Sequence, residues 1–441
     1  REGRLDLLFV APERAATESF ARTIAGVAVA LLAIDEAHCV SEWGHDFRPD
    51  YRRLRALADL LPGVPRLALT ATADAATRAD ICAELGIAPD RTIVAGFDRP
   101  NIRYEAREKR RPADQLLAFV GRHRHQAGIV YCQTRSETER IAQTLVAAGV
   151  RAYPYHAGLD PDIRDRHQRL FRTADDAVMV ATIAFGMGID KPDVRFVAHM
   201  GVPKSIEAYY QETGRAGRDG LPAVAHMLWG PEDFARQRQR IDAGSADEAR
   251  KAHEHAQVSR MLAFAETAGC RRVPLLMHFG EPEPPPCGNC DNCLDPPPLR
   301  DVSEAARKLL SAIYRTGQRF GMAHVVRVLR GAGDARLRAL GHHHLSVFGI
   351  GADMAEAQWL RLGARLEAEG VLVRDPEYRG LRLTEKARPI LRGETAVKTK
   401  AGDEPARGTG RSGGGAGSAR AQVARAKAGQ RGGRRWRFGQ E

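Results

Sequence analysis

Three groups of residues have the types and spacing to do chemistry. The first is Asp35-Glu36-Ala37-His38. Paired acids at a strand end suit a nucleotide-hydrolysing site, where one carboxylate holds Mg²⁺ and its neighbour polarises the attacking water. For four letters standing alone, a solvated acidic turn is the other reading. The second group is Gln211-Glu-Thr-Gly-Arg215-Ala-Gly-Arg218-Asp-Gly. Two arginines three residues apart and flanked by Gly can reach one side of a helix turn and neutralise phosphoryl charge across a cleft. A solvated charge run is the alternative. The third group is Cys270 with Cys287-Gly-Asn-Cys290-Asp-Asn-Cys293. Four thiolates fill a tetrahedral Zn²⁺ site, and C-x₂-C-x₂-C brings three sulfurs onto one loop. Redox pairing or free thiols compete with that reading, but clustering favours metal. Such a site has no open coordination position, so it would stabilise the fold rather than catalyse.

The elements that position these groups follow from hydrophobic pattern. Val27–Ile34 reads as a parallel strand buried on both faces, with the two acids at its C-terminal edge, where open α/β sheets bind ligands. Leu5–Val10 reads as a strand running into a loop. Arg66–Thr72 reads as a buried strand ending in the hydroxyls of Thr70 and Thr72; Asp74 could cap the helix that follows. Gly128–Cys132 is a strand, Gln133-Thr134-Arg135 its terminal loop, and Glu137–Ala148 a helix closed by Gly149. Ala177–Thr182 is another strand, leading into Ile183–Pro192, where Gly186 and Gly188 permit close backbone approach. A charged helical stretch, Phe234–Ala268, precedes the cysteines. Beyond Pro296-Pro-Pro298, helices at Val302–Tyr314, Met322–Leu329 and Ala355–Glu369 precede strands on either side of the turn Asp375–Gly380, a winged-helix pattern. His342-His343-His344 are adjacent in a loop and do not converge on one ion. Cys39, Cys82 and Cys132 read as packing residues in strands or loops.

Asp-Glu-Ala-His continues directly into Cys39-Val-Ser-Glu-Trp43-Gly-His-Asp-Phe47-Arg48-Pro49. With QETGRAGRDG and the cysteine cluster, the chain resembles the RecQ family of DNA helicases, of the bacterial kind, from Ala11-Pro-Glu-Arg14 to about Gly393. The resemblance implies an α/β fold of two RecA-like parallel-sheet motor domains, the first incomplete, followed by a helical zinc-binding module and a winged-helix domain. The boundaries expected are 1–97, 98–233, 234–299 and 300–393, with 394–441 a basic Gly/Arg-rich tail that is disordered on composition.

It further implies ATP and Mg²⁺ bound between the motor domains, with Asp35 steering the metal and Glu36 the water. His38 and Gln211 complete the catalytic set, Gly188 and Asp190 contact the nucleotide, and Arg218 is the arginine finger. Arg215 is a second γ-phosphate or coupling residue, and Thr70 and Thr72 couple the nucleotide site to DNA. Trp43, Phe47 and Arg48 form an aromatic-rich DNA-sensing loop, since exposed aromatics can stack on bases. Thr134, Arg135, His156 and Thr182 line the DNA track, and Leu345–Gly351 is a hairpin that parts the duplex. Thr134 stands where the family commonly has Ser, which keeps the hydroxyl. Zn²⁺ takes Cys270, Cys287, Cys290 and Cys293.

The implied activity is an ATP-dependent 3′–5′ DNA helicase of recombination and repair; the alternative is a non-catalytic DNA-binding protein or pseudoenzyme. No G-x-x-x-x-G-K-[ST] segment occurs in the sequence. That, and a first residue that is Arg, suggest an N-terminally truncated chain with negligible ATPase activity by itself. The partners implied are single-stranded DNA, duplex junctions and a single-strand-binding protein, for a cytoplasmic, nucleoid-associated monomer. Bulk properties agree: the net charge is +12, and residues 394–441 supply seven of it with 11 Lys/Arg against 4 Asp/Glu. An anionic partner suits that balance. No apolar run reaches membrane-spanning length, and seven cysteines, four of them clustered, fit a reducing compartment.

Overall fold

The computed structural model describes residues 5–42, 47–186, 189–333, 335–375 and 380–400. Near the N-terminus two short strands, β1 (Leu32–Ile34) and β2 (Arg66–Ala68), pair in parallel with Ile34 opposite Ala68. Ile34, Ala37 and Val40 pack with Leu54, Leu57, Ile81 and Leu85 from the helices that follow. The expected strand Val27–Ile34 is therefore cut to three residues, and it is not buried on both faces: Val27, Leu31 and Ala33 are exposed. The cause is pairing. β1 has one neighbour among the described residues, and no second layer covers its far side. Leu5–Val10 likewise forms no strand, and Leu5, Leu7, Leu8 and Phe9 lie exposed. An apolar run becomes a strand only where another edge meets its N–H and C=O groups.

The second lobe is a six-stranded, wholly parallel sheet. Its strands are β3 (Ile102–Glu108), β4 (Gly128–Tyr131), β5 (Ala152–Tyr155), β6 (Val178–Ala181), β7 (Phe196–His199) and β8 (Ala223–Trp229), in the order β3-β8-β7-β4-β6-β5. Every residue of β4, β6 and β7 is buried, as continuous Val/Ile/Ala/Phe runs require when helices cover both faces. The crossover helices begin on side-chain caps: Thr134 for Arg135–Ala147, Asp160 for Pro161–Thr173 and Ser205 for Ile206–Thr213. Tyr131, Ala181 and Tyr155 are in register at the C-terminal edge, so the loops starting at Cys132, Thr182 and His156 emerge side by side.

The charged stretch after β8 is two helices, Pro231–Ala243 and Glu248–Glu266, where a single stretch was expected. Gly244 is extended, and Asp247 caps the second helix by accepting from the Arg250 N–H at 2.8 Å. Helix Arg272–His278 follows, then the cysteine loop. Helices Ser303–Arg315, Met322–Leu329 and Glu356–Ala368 and the antiparallel pair Leu372–Arg374 and Leu381–Leu383 build the winged helix around fully buried Trp359.

Leu345–Gly351 is not a hairpin. It folds as successive turns against Met322–Leu329, with Val347 buried and Trp359 Nε1 donating to the Gly351 carbonyl at 3.0 Å. Cys82 lies in helix Ala75–Leu85, not in a strand or loop. His342 pairs with His324 at 2.9 Å inside this core. Residues 376–379 of the wing turn and the tail from 401 lie outside the described residues. No helix among the described residues is long and apolar enough to cross a membrane.

Candidate active site and metal centre

The acidic end of β1 is wired to the hydroxyl end of β2. Asp35 is exposed and its Oδ1 accepts the Glu36 N–H at 2.8 Å. Glu36 sits at φ 50°, a left-handed conformation that costs a non-glycine residue about 1–3 kcal/mol and clusters at functional sites. Its carboxylate lies 3.3 Å from His38 Nδ1, and the same nitrogen lies 3.0 Å from Thr70 Oγ1. Thr70 Oγ1 in turn accepts the Thr72 N–H at 3.3 Å. Thr70 is therefore not a helix cap. Asp74 fills that place, accepting the Thr77 N–H at 2.8 Å. His38 is buried, so this chain of contacts is held inside the lobe.

The arginine segment follows helix Ile206–Thr213, on which Gln211 is half-buried. Arg215 is buried and donates to the Gly186 carbonyl, and Tyr131 Oη donates to the Phe185 carbonyl at 2.9 Å. Arg215 thus grips the Gly-rich loop after β6, and a Cβ at Gly186 would meet its guanidinium at 3.1 Å. Arg218 is partly exposed and pairs with Asp190 at 2.8 Å. Sequence reasoning missed what holds this segment. Arg99 donates to the carbonyls of Gly214, Ala216 and Gly217, and Asn101 to those of Gly217 and Leu221. The signal was Asp98-Arg-Pro-Asn101, which falls at the boundary expected between residues 1–97 and 98–233.

The residues expected on DNA fall into two sets. Thr134 caps its helix through Oγ1, and Arg135 packs against Gly158, whose Cβ would meet Nη1 at 3.1 Å. Thr182 donates its N–H to the Tyr155 carbonyl at 3.2 Å, which ties the loops after β5 and β6 together. The His156 ring is buried and fully engaged, Nδ1 accepting from the Gly158 N–H and Nε2 meeting Glu139 Oε1 at 3.1 Å. Its part is to shape the loop. In the aromatic-rich loop, the Arg52 guanidinium lies 5.4 Å from the half-buried Phe47 ring, and the Arg48 N–H donates to the Cys39 carbonyl. Trp43 and Gly188 lie outside the described residues.

Cys270, Cys287, Cys290 and Cys293 place their sulfurs within 4.8 Å of one another, and all four are free thiols. Tetrahedral Zn²⁺ with Zn–S near 2.3 Å spaces sulfurs at roughly 3.8 Å, so the set fits. Backbone N–H groups of Cys287, Asn289 and Arg271 donate to the sulfurs of Cys270, Cys287 and Cys290. Burial pushes the Cys270 thiol up, but the N–H donors outweigh it and bring it to about 7; burial pushes Cys293 up to about 12. Directly beside two ligands, Arg271 and Asp291 form a buried bidentate pair at 2.6 and 3.0 Å, which also bonds the peptide of Ala106 on β3. Only their adjacency to cysteines could have flagged them.

A parallel-sheet RecA-like lobe joined to a four-thiolate module and a winged helix defines a helicase-type motor fold. Residues 108–220 match the helicase conserved C-terminal domain, 231–294 the RecQ zinc-binding family and 296–407 the RQC domain. The chain is 47% identical over 394 residues to the ATP-dependent DNA helicase RecQ of Pasteurella multocida, covering 89% of this chain and 62% of that protein. It is 39% identical over 402 residues to the ATP-dependent DNA helicase RecQ of Bacillus subtilis, covering 91% and 68%. The Haemophilus influenzae RecQ is 46% identical, with 64% of its length covered. The chain belongs to the RecQ family, and it spans less than two thirds of the length of the Pasteurella and Haemophilus relatives.

Proposed function

We propose that these residues carry the water-activating and arginine sides of an ATP-driven DNA motor moving 3′ to 5′, together with its zinc and winged-helix supports. The observation that carries this reading is the unbroken path from Glu36 through His38 to Thr70 and Thr72. A change at the acid that polarises water moves a histidine already bonded to the next strand's end, which is what coupling hydrolysis to a DNA track requires.

In this reading Asp35 orients Mg²⁺, which when bound neutralises phosphate charge, and Glu36 accepts a proton from water. Arg218 leaves Asp190 for the more highly charged phosphoryl oxygens. Arg215 stays on the Gly186 loop and transmits the change, while Thr134, Arg135 and Thr182 lie along the DNA side. The zinc site is structural.

Because the sequence has no phosphate-loop segment, we propose that residues 1–441 alone turn over little ATP. The test compares this polypeptide with a fusion carrying the phosphate-loop segment of a RecQ relative at its N-terminus. DNA-stimulated turnover and displacement of a 3′-tailed duplex are expected of the fusion only. Rapid DNA-stimulated turnover by the unfused chain would refute the first claim, and displacement of 5′-tailed duplex alone would refute the polarity. DNA binding by a fusion that never hydrolyses ATP would favour the non-catalytic alternative.

A further inference from the structure

One face of the second lobe's sheet takes no part in the nucleotide or zinc chemistry. On it Arg103, Glu105 and Arg107 of β3 stand opposite Val224, His226 and Leu228 of β8. Alternation along a strand puts each set on a common face. Helix Pro112–Arg122 faces them, and between helix and sheet lies a cavity of about 640 Å³ lined by all six and by Arg122.

The charges there are unbalanced. Both Glu105 oxygens are already used, Oε1 by Arg103 at 3.1 Å and Oε2 by His226 Nδ1 at 3.1 Å. Burial raises the Glu105 carboxyl, but His226 and the nearby arginines outweigh it and hold it below the ordinary value. Glu105 is therefore a committed anion, satisfied within the protein. Arg107 and Arg122 are exposed and have no carboxylate partner among the described residues. Two nitrogens of the lining, Arg103 Nε and His226 Nε2, are buried without a hydrogen-bond partner. The His226 ring is fixed by stacking on Phe119 at 4.3 Å, and the Arg122 guanidinium lies over the Phe119 ring at 5.6 Å. Buried polar atoms are normally matched, and each exception calls for a cause. Guanidinium groups in excess of carboxylates, held on a strand and a helix, match the charge and planar geometry of phosphate oxygens.

We propose that this cavity binds a phosphate group, with Arg107 and Arg122 as its charged ligands and Arg103, braced by Glu105 and His226, behind them. The phosphate can belong to a free phosphate compound or to a nucleic-acid backbone. The site is separate from the Arg215 and Arg218 segment.

The test is calorimetric titration of the full chain with inorganic phosphate, alongside anisotropy with a labelled oligothymidylate. It uses wild type, the R107A/R122A double variant and R218A; the paired residues are exposed, so folding is preserved. Saturable phosphate binding, weakened roughly tenfold or more in R107A/R122A but retained in R218A, is expected. If oligothymidylate affinity is then unchanged, the site serves a free phosphate compound. If it falls in parallel and phosphate competes with the oligonucleotide, the site holds backbone. Phosphate binding that is absent, that is equal in wild type and R107A/R122A, or that is lost in R218A alone overturns the proposal.

Discussion

Glu207 shows how one buried carboxyl responds to its surroundings. Burial raises it, but the His278 ring at 2.6 Å and the Ser205 hydroxyl outweigh burial and hold it at about 2, against an ordinary 4.5. A carboxyl depressed by folding adds stability that is complete above its unfolded value and is lost as pH falls from about 4.5 toward 2. The shift corresponds to about 3 kcal/mol. Glu207→Gln is therefore expected to cost stability of that order in urea unfolding at pH 6, and progressively less toward pH 3. Loss of thiolate ligation in acid affects both proteins and cancels in the comparison; a gap that stays constant with pH would contradict the assignment. At the end of β1, His38→Ala removes the link between Glu36 and Thr70. In a phosphate-loop fusion it is expected to leave basal ATP turnover within a few-fold and abolish most of its stimulation by DNA. Equal loss of both rates would make His38 a catalytic group rather than a coupling one.

Among the elements, the arginine segment is held from a distance. Arg99 and Asn101 reach the carbonyls of residues 214–221 from a point more than 110 residues earlier. Arg99→Ala strands the carbonyls of Gly214 and Ala216, while that of Gly217 keeps Asn101, and is expected to cost about 1–3 kcal/mol. Hydrogen exchange across 214–221 should quicken while β4 and β6 stay protected; unchanged exchange would show the clamp to be idle.

This contact also marks what a chain can reveal by itself. Motifs local in sequence were readable: the acids at the end of β1, the Arg215 and Arg218 spacing, the four cysteines, the helices and strands of the winged helix. Their supports were not, because Arg99, Asn101 and Arg271 act through carbonyls that any residue carries. Val27–Ile34 and Leu5–Val10 were overread, since hydrophobic pattern records the wish to pair and not the presence of a partner. Leu345–Gly351 failed for a related reason: Val347 and Gly351 are fixed by Val328, Leu329 and Trp359 rather than by their own pattern.

Across the whole molecule, the zinc module forms a joint between the lobes. Helix Arg272–His278 starts two residues after Cys270 and ends at Phe279, whose ring stacks on Phe97 at 4.5 Å with 9° between planes. Phe97 donates its N–H to Glu281 at 2.6 Å and accepts from Tyr210 Oη at 2.8 Å, and Arg78 of helix Ala75–Leu85 reaches the Phe279 carbonyl. The first lobe, the helix that precedes the arginine segment, and the zinc module therefore meet at Phe97 and Phe279. On the other side of the module, Arg271 and Asp291 bond to Ala106 of β3, so Arg271→Ala leaves an unpaired buried carboxylate and is expected to cost about 3–5 kcal/mol. Zinc content near one per chain should survive that change, since no ligand is touched.

Removing the metal acts on both connections at once, because ligation and folding of the module are linked. Chelation is then expected to quicken hydrogen exchange at residues 206–213 and around Phe97, beyond the cysteine loop itself, while helix Ser303–Arg315, inside the separate winged-helix core, keeps its protection. If exchange quickens only at 270–293, the module is a passive appendage; if 303–315 loosens equally, chelation has unfolded the chain and the joint has no special standing.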